Sequence, residues 1–246
     1  MNKGYSSYRF REGVRDGLPI GLGYLSVSFG FGITAVSEGL RVLEALLISM
    51  TNLTSAGQVA GVTVIIAAGS LLEMVLTQLI INLRYSLMGI TLTQRLDPKC
   101  TTRHRLLMSF GMTDEIFAVA ASKPDRVCPS YFYGLMTLPY LGWAGGTLMG
   151  ALAGQILPTG LRAALGIMIY AMFIAIVLPP AKRERGVLYT VLLAAAISCA
   201  VRYLPFFGWI SEGFSIILCA VLAAAVMAIV RPLPDEETVQ KGGEGI

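Results

Sequence analysis

Charge is scarce in this sequence. Of its 246 residues, 14% are Asp, Glu, Lys or Arg, while 55% are hydrophobic. Soluble domains carry about 25% charged residues. A bilayer solvates apolar side chains and confines charge to loops. The shortage therefore argues against an ordinary soluble domain and predicts an integral membrane protein. Histidine is rarer still: His104 stands alone, in a basic stretch. The four cysteines, Cys100, Cys128, Cys199 and Cys219, form no CxxC pair. No zinc site is expected, and the cysteines read as packing residues or reduced loop thiols. No GxxxxGK[ST] occurs, which argues against ATP hydrolysis by this chain, and no cofactor is expected. There is no GxSxG, and Asp114 has no second mid-segment aspartate, so the chain is not read as an intramembrane protease or other enzyme. The net charge of +4 does not point to nucleic acid, because the cations gather in short loops.

Apolar sequence is abundant. A spanning helix needs about 20 mostly apolar residues. Clear candidates are 17–38, 70–93, 130–154, 161–179, 186–205 and 212–230. Two further segments, 45–68 and 104–122, are apolar but interrupted by polar residues. The basic N-terminus leads into a long apolar run without a small-residue cleavage site, which reads as a retained first helix. Residues 1–16 read as a cytoplasmic segment, 17–231 as one transmembrane domain, and 232–246 as a disordered polar tail. Basic loops occur at 3–15, 95–105, 123–126 and 182–185, with Arg231 after the last span. If both interrupted segments enter and leave on one side, all these loops share the cytoplasmic face with both termini. The expected fold is therefore an all-α membrane bundle of about six full spans plus two broken or re-entrant segments, with eight full spans as the alternative. A faint internal echo links "GLPIGLGYLSVSFGFG" at 17–32 to "GLMTLPYLGWAGGTLMG" at 134–150. Repeats occur in transporters, and glycine-rich close packing occurs in any helical membrane protein.

The polar interruptions are the candidate chemistry. "SMTNLTSAGQ", residues 49–58, places hydroxyls and amides inside an apolar run. Non-helical backbone at membrane depth survives only inside protein or beside a water-filled cavity. Ser, Thr, Asn and Gly cap half-helices, and a half-helix N-terminus can hold a carboxylate with free N–H groups. Thr54, Ser55, Gly57 and Gln58 therefore read as a broken helix lining a site; the other reading is a helix pair glued by small polar residues. The span 70–93 carries Glu73, Gln78, Asn82 and Arg84. At 100° per residue Glu73, Thr77, Arg84 and Thr91 share one face, and Gln78, Asn82, Tyr85, Ser86 and Thr93 the opposite one. A helix polar on two sides is expected in the bundle interior, next to a partner or a cavity. A mid-membrane charge costs about 3 kcal/mol or more, so Glu73 and Arg84 need partners or a task, or Arg84 snorkels. They are three turns apart, too far to pair with each other. In 104–122, Thr113, Asp114 and Glu115 read as a cap starting a half-helix or as protonatable groups on a transport path; the other reading is an interfacial loop whose acids are simply hydrated. Arg202 with Pro205 reads as an end anchor. Tyr131, Tyr133, Tyr140 and Trp143 read as interface or packing aromatics.

"TSAGQV" at 54–59, "INLRYSLMG" at 81–89 and "TDEIFA" at 113–118 together resemble the AzlC-type branched-chain amino acid permeases, and "FIAIVLPP" at 173–180 also fits. The resemblance covers roughly residues 10–230. It implies a secondary transporter in the bacterial inner membrane that exports hydrophobic, typically branched-chain, amino acids. It also implies a small, separately encoded AzlD-type membrane subunit as partner, and methionine as a cargo of some members. Thr54, Ser55, Val59 and Tyr85 depart from the commoner family residues and bear on the substrate. With such a substrate, the carboxylate would meet N–H groups near Thr54, Ser55 and Gly57, with Gln58 and Asn82 nearby. The ammonium would meet Thr113, Asp114 or Glu115, and Glu73, Asp114 or Glu115 would carry coupling protons. The rival reading is a channel or a non-transporting membrane scaffold.

Overall fold

The computed structural model describes residues 9–158, 160–161 and 167–231. The tail 232–246 and the first eight residues lie outside them, as does part of the expected 161–179 span. The helices in chain order are α1 (Phe10–Ser37), α2 (Val42–Thr51), α3 (Ser55–Ile66), α4 (Leu71–Arg95), α5 (Thr102–Phe110), α6 (Asp114–Ala121), α7 (Pro129–Ile156), α8 (Met168–Arg183), α9 (Arg185–Tyr203) and α10 (Glu212–Val230). The protein is all-α. Helices α1, α4, α9 and α10 are each long and apolar enough to cross a membrane. Two compact units divide within α8, between Phe173 and Ile174.

The first unit is built on α1 and α7. Both are 28 residues long and both carry a proline inside, Pro19 and Pro139. They run parallel, since Gly13 meets Tyr131 and Leu135, Gly21 meets Leu138, and Gly32 meets Thr147 and Ala151. Without a hydrophobic force between helices in lipid, association depends on close packing, and small residues allow it. Gly17, Gly21 and Gly32 on one helix and Gly134, Gly142, Gly146 and Gly150 on the other let backbone touch backbone. The echo between 17–32 and 134–150 thus has a packing reason: the two segments are each other's interface. Helix α1 also starts earlier than expected, at Phe10 rather than 17. Charged residues do not stop it, because Glu12 reaches back to the Arg9 N–H at 2.9 Å as a capping box.

Each interrupted segment is a pair of half-helices that reverses direction. Helix α2 starts beside Ala35 and Ala151, where Ala45 is buried, and runs to mid-bundle, where Ser49 meets Thr147 at 2.7 Å. Helix α3 returns: Gln58 contacts Trp143, and one turn on Val62 packs with Phe31, Ala35 and Ala151. Helix α5 enters from the opposite end, from His104 beside Tyr133 to Phe110 beside Tyr140. Helix α6 goes back, from Thr113 on Tyr24 to Ala121, whose carbonyl accepts from Arg95 at 2.9 Å. At 1.5 Å per residue, halves of 8 to 12 residues span about 12–18 Å, roughly half a bilayer core. These are two re-entrant hairpins entering from opposite ends. Their geometry gathers the basic stretches 9–15, 95–105 and 123–126 at one end of the unit. There Lys123 pairs with Asp16 at 2.7 Å, and Leu96 bridges to Val127.

Helix α4 differs from expectation. It does not run through the interior: of its residues only Glu73, Thr77 and Leu92 are buried. It carries a third face, Leu72, Val75, Leu79, Leu83 and Leu87, which points outward and suits lipid. Gln78 and Arg84 turn toward the hairpins, onto Gly57 and Asp114. In the second unit α9 and α10 pack as an antiparallel pair, with Arg202 near Glu212 at one end (3.5 Å) and Arg231 over the Tyr189 ring at the other. Arg202 is thus an ion-paired helix end.

Candidate functional site at the hairpin tips

Both hairpins break where a threonine caps a half-helix. Asn52 and Thr54 adopt extended backbone, and the Thr54 hydroxyl accepts from the Gly57 N–H at 3.2 Å. Gly111 ends α5, and the Thr113 hydroxyl accepts from the Ile116 N–H at 3.4 Å. Each cap satisfies one of the orphan donors at a helix start. The two starts carry positive partial charge and converge on mid-bundle from opposite sides. At α6 that charge already faces acids, Asp114 and Glu115, in the first turn. At α3 the first turn contains no acid, so its Ser55 and Ala56 N–H groups face a site without local counter-charge.

Helix α4 closes the space between the tips. Arg84 Nη1 lies 2.5 Å from Asp114 Oδ2. Its guanidinium also stands over the Tyr85 ring, 5.0 Å from the centroid. Tyr85 stands beside the Thr54 side chain, and Gln78 of the same helix bonds the Gly57 carbonyl, so α4 touches both tips. Gln78 Nε2 donates to the Gly57 carbonyl at 2.7 Å, and Asn82 Nδ2 donates to Gln78 Oε1 at 3.1 Å. From α1, the buried Tyr24 hydroxyl bonds Thr113 Oγ1 at 2.6 Å and also contacts the Glu115 carboxylate. From α7, Trp143 packs edge-on against Tyr24 and donates its indole N–H to Gln58 Oε1 at 3.2 Å. Ser49 donates to the same oxygen at 3.3 Å. Gln58 is fully buried, and its Nε2 and Asn82 Oδ1 are buried without a hydrogen-bond partner.

The structure therefore brings Thr54, Ser55, Gly57, Gln58, Asn82, Thr113, Asp114 and Glu115 into one region. Glu73 stands apart. It is buried in the first turn of α4, beside Gly69 and Val64, about 13 Å up the helix axis from Asn82 at 1.5 Å per residue. Arg84 does not snorkel; its partner is Asp114. Of the two readings for Trp143 and Tyr131, packing is the one observed: both are buried, and the Tyr131 hydroxyl donates to Asp16 at 2.7 Å. Tyr24 and Thr147 escaped the sequence reading, whereas Ser49 belongs to the polar run that it singled out. Only the parallel docking of α1 on α7 places Tyr24 and Thr147 at the tips, and no local signal marks that. Beside the α5–α6 tip, an open and mostly apolar cavity of about 600 Å³ runs between α4 and α5, lined by Ile90, Leu92, Leu106, Met108 and Met112 and, among its polar residues, by Gln94 and Arg105. Among the described residues no cluster of His, Cys, Asp and Glu could hold a metal ion.

The indole bond is testable. Trp143→Phe keeps the ring against Tyr24 but leaves the buried Gln58 oxygen with Ser49 alone. Losing one hydrogen bond to a buried group should lower stability by about 1–2 kcal/mol. A drop in the melting temperature of the detergent-purified protein checks it. Ser49→Ala should show a similar loss, because it unpairs the Thr147 hydroxyl.

An all-helical membrane protein with two discontinuous segments whose tips meet within its first unit is the class these observations define. The chain belongs to the AzlC protein family, whose pattern matches residues 19–157. It is 32% identical over 239 residues to "Inner membrane protein YgaZ" of Escherichia coli, covering 94% of this chain and 95% of that one. It is 33% identical over 178 residues to an uncharacterized membrane protein of Archaeoglobus fulgidus, covering 72% of this chain and 78% of the relative. It is 25% identical over 233 residues to "Branched-chain amino acid transport protein AzlC" of Bacillus subtilis, covering 93% of this chain and 88% of the relative. No solved structure matches it.

Proposed function

We propose that this chain is a secondary transporter that exports branched-chain amino acids, with methionine as a further cargo, across a bacterial inner membrane. The observation that carries the reading is the meeting of two half-helix starts, capped by Thr54 and Thr113, against the Arg84–Asp114 pair. A zwitterion needs one positive and one negative partner a few ångströms apart. The α3 start, with Ser55, Gly57 and Tyr85 around it, suits the carboxylate. The acids of the α6 start suit the ammonium. The apolar cavity between α4 and α5 suits a branched side chain. Discontinuous helices whose ends bind a substrate at the bilayer midplane are a transporter device. The relative named for branched-chain amino acid transport supports the substrate class.

Proton coupling would run through Asp114 or Glu115, which share the site, or through the buried Glu73. The basic end of the first unit would face the cytoplasm under the positive-inside rule, and both chain termini would lie there. The family suggests an AzlD-type small subunit as partner. The test is efflux of labelled leucine, isoleucine, valine and methionine from preloaded cells carrying the chain with and without such a subunit. Saturable efflux that collapses when the proton gradient is discharged is the expected result. Efflux that never saturates would instead indicate a pore, and no efflux under any pairing would refute the transporter reading.

A further inference from the structure

The Arg84–Asp114 pair raises a question that the proposed site leaves open. If Asp114 is to meet a substrate ammonium, it is already taken by a guanidinium at 2.5 Å. The two side chains are 42% and 36% exposed, so the pair is not sealed in the core. Arg84 also has a second perch. Its Cζ lies 5.0 Å from the centroid of the Tyr85 ring, and its Nη2 donates to the Tyr85 hydroxyl at 3.4 Å. Tyr85 in turn stands beside Thr54, the cap of the other tip. A guanidinium released from Asp114 can keep its stacking on Tyr85 and turn its charge toward the α3 start.

We propose that Arg84 is the internal substitute for the substrate's ammonium, and that an α-amino acid binds by exchanging into the Arg84–Asp114 pair. The inference rests on the amino acid site proposed above. In the exchange the ammonium replaces the guanidinium on Asp114. The carboxylate, arriving at the α3 start, gives the displaced guanidinium a new partner. No charge is left unpaired at membrane depth before or after, and each uncompensated charge there would be expensive. A ligand that brings only one of the two charges breaks the pair and repairs half of it. The site is therefore specific for zwitterions. It rejects both the amine and the acid that share leucine's side chain. Arg84 is a specificity-determining residue.

The experiment uses membrane vesicles from cells expressing the full chain together with an AzlD-type subunit. Labelled leucine flux is competed with unlabelled leucine, 3-methylbutylamine or 4-methylpentanoate. In the parent chain, the amine and the acid are each expected to compete at least tenfold more weakly than leucine. In Arg84→Gln, Asp114 has no internal partner. Leucine flux should fall at least tenfold, and the amine should bind at least tenfold better than to the parent, read as a rise in melting temperature. An amine that competes with leucine as an equal in the parent chain overturns the inference and leaves the transporter reading standing. So does an Arg84→Gln chain that handles leucine as the parent does and still ignores the amine. The parent arm needs no variant to fold. Absence of leucine flux in the parent chain, with purified protein intact, overturns both readings together.

Discussion

Gly150→Val is expected to leave little correctly folded protein in the membrane. A Cβ at Gly150 would stand 2.0 Å from the Phe29 carbonyl oxygen and 2.9 Å from the Phe29 Cα. These are backbone atoms of α1, and no side-chain rotation can clear them. The helices must separate locally by more than an ångström, and the neighbouring contacts at Gly146 and Gly32 are lost with them. Overpacking a well-filled interface costs about 1–3 kcal/mol, and a clash with backbone along a whole helix pair belongs at or above the top of that range. The consequence goes beyond stability. Tyr24 on α1 and Trp143 on α7 reach the hairpin tips only while these helices touch. Gly23→Val is the control, because a Cβ there meets nothing within 4 Å. Size-exclusion profiles of detergent-extracted protein should show a monodisperse peak for Gly23→Val and its loss for Gly150→Val.

Asp114→Asn is the second large effect. It removes the partner of Arg84 and leaves a guanidinium in a half-buried site with only Tyr85 to receive it. Truncating one member of a hydrogen-bonded charge pair costs about 2–5 kcal/mol when the pair is desolvated; this partly exposed pair belongs near the lower bound. Transport should fall by at least about 30-fold, the equivalent of about 2 kcal/mol, while the protein still extracts as a monodisperse peak, because the Thr113 cap is untouched. Glu115→Gln should be milder. Its amide can still meet the Tyr24 hydroxyl, and no cation loses a partner. Efflux rates at equal protein levels decide the order; a Glu115→Gln loss larger than that of Asp114→Asn would move the proposed ammonium site to Glu115.

Much of this architecture was legible in the residues. Thr54 and Thr113 each follow an apolar run and precede another, and a hydroxyl there has few uses other than capping. The re-entrant course of both hairpins followed from charge: only that course brings 9–15, 95–105 and 123–126 to one end. Helix α4 was misread for a definable reason. Its polar residues lie on two faces, but its leucines at 72, 79, 83 and 87 fall on a third. A helix can be polar on two sides and still present an apolar stripe outward. The Arg84–Asp114 pair spans thirty positions of sequence and depends on where α6 turns back, so no periodicity within α4 could show it. Tyr24, Thr147 and the partner of Trp143 were hidden for a similar cause. Their importance comes from the parallel docking of α1 on α7, and a tyrosine or tryptophan in a glycine-rich helix looks the same whether it faces lipid or a buried glutamine.

The central claim is that the hairpin tips form an amino acid site at the middle of the membrane. A single cysteine at Ser55 tests it most directly, in a chain whose Cys100, Cys128, Cys199 and Cys219 have been replaced by serine or alanine. Ser55 is the first residue of α3 and is partly open. The expected result is that a small charged thiol reagent modifies Ser55→Cys, and that leucine slows the modification over the same concentration range in which it saturates efflux. Alanine and glycine, with less side chain for the apolar cavity, should protect less. Modification at a rate that leucine leaves unchanged, in protein that still exports leucine, would place the substrate elsewhere and contradict the account.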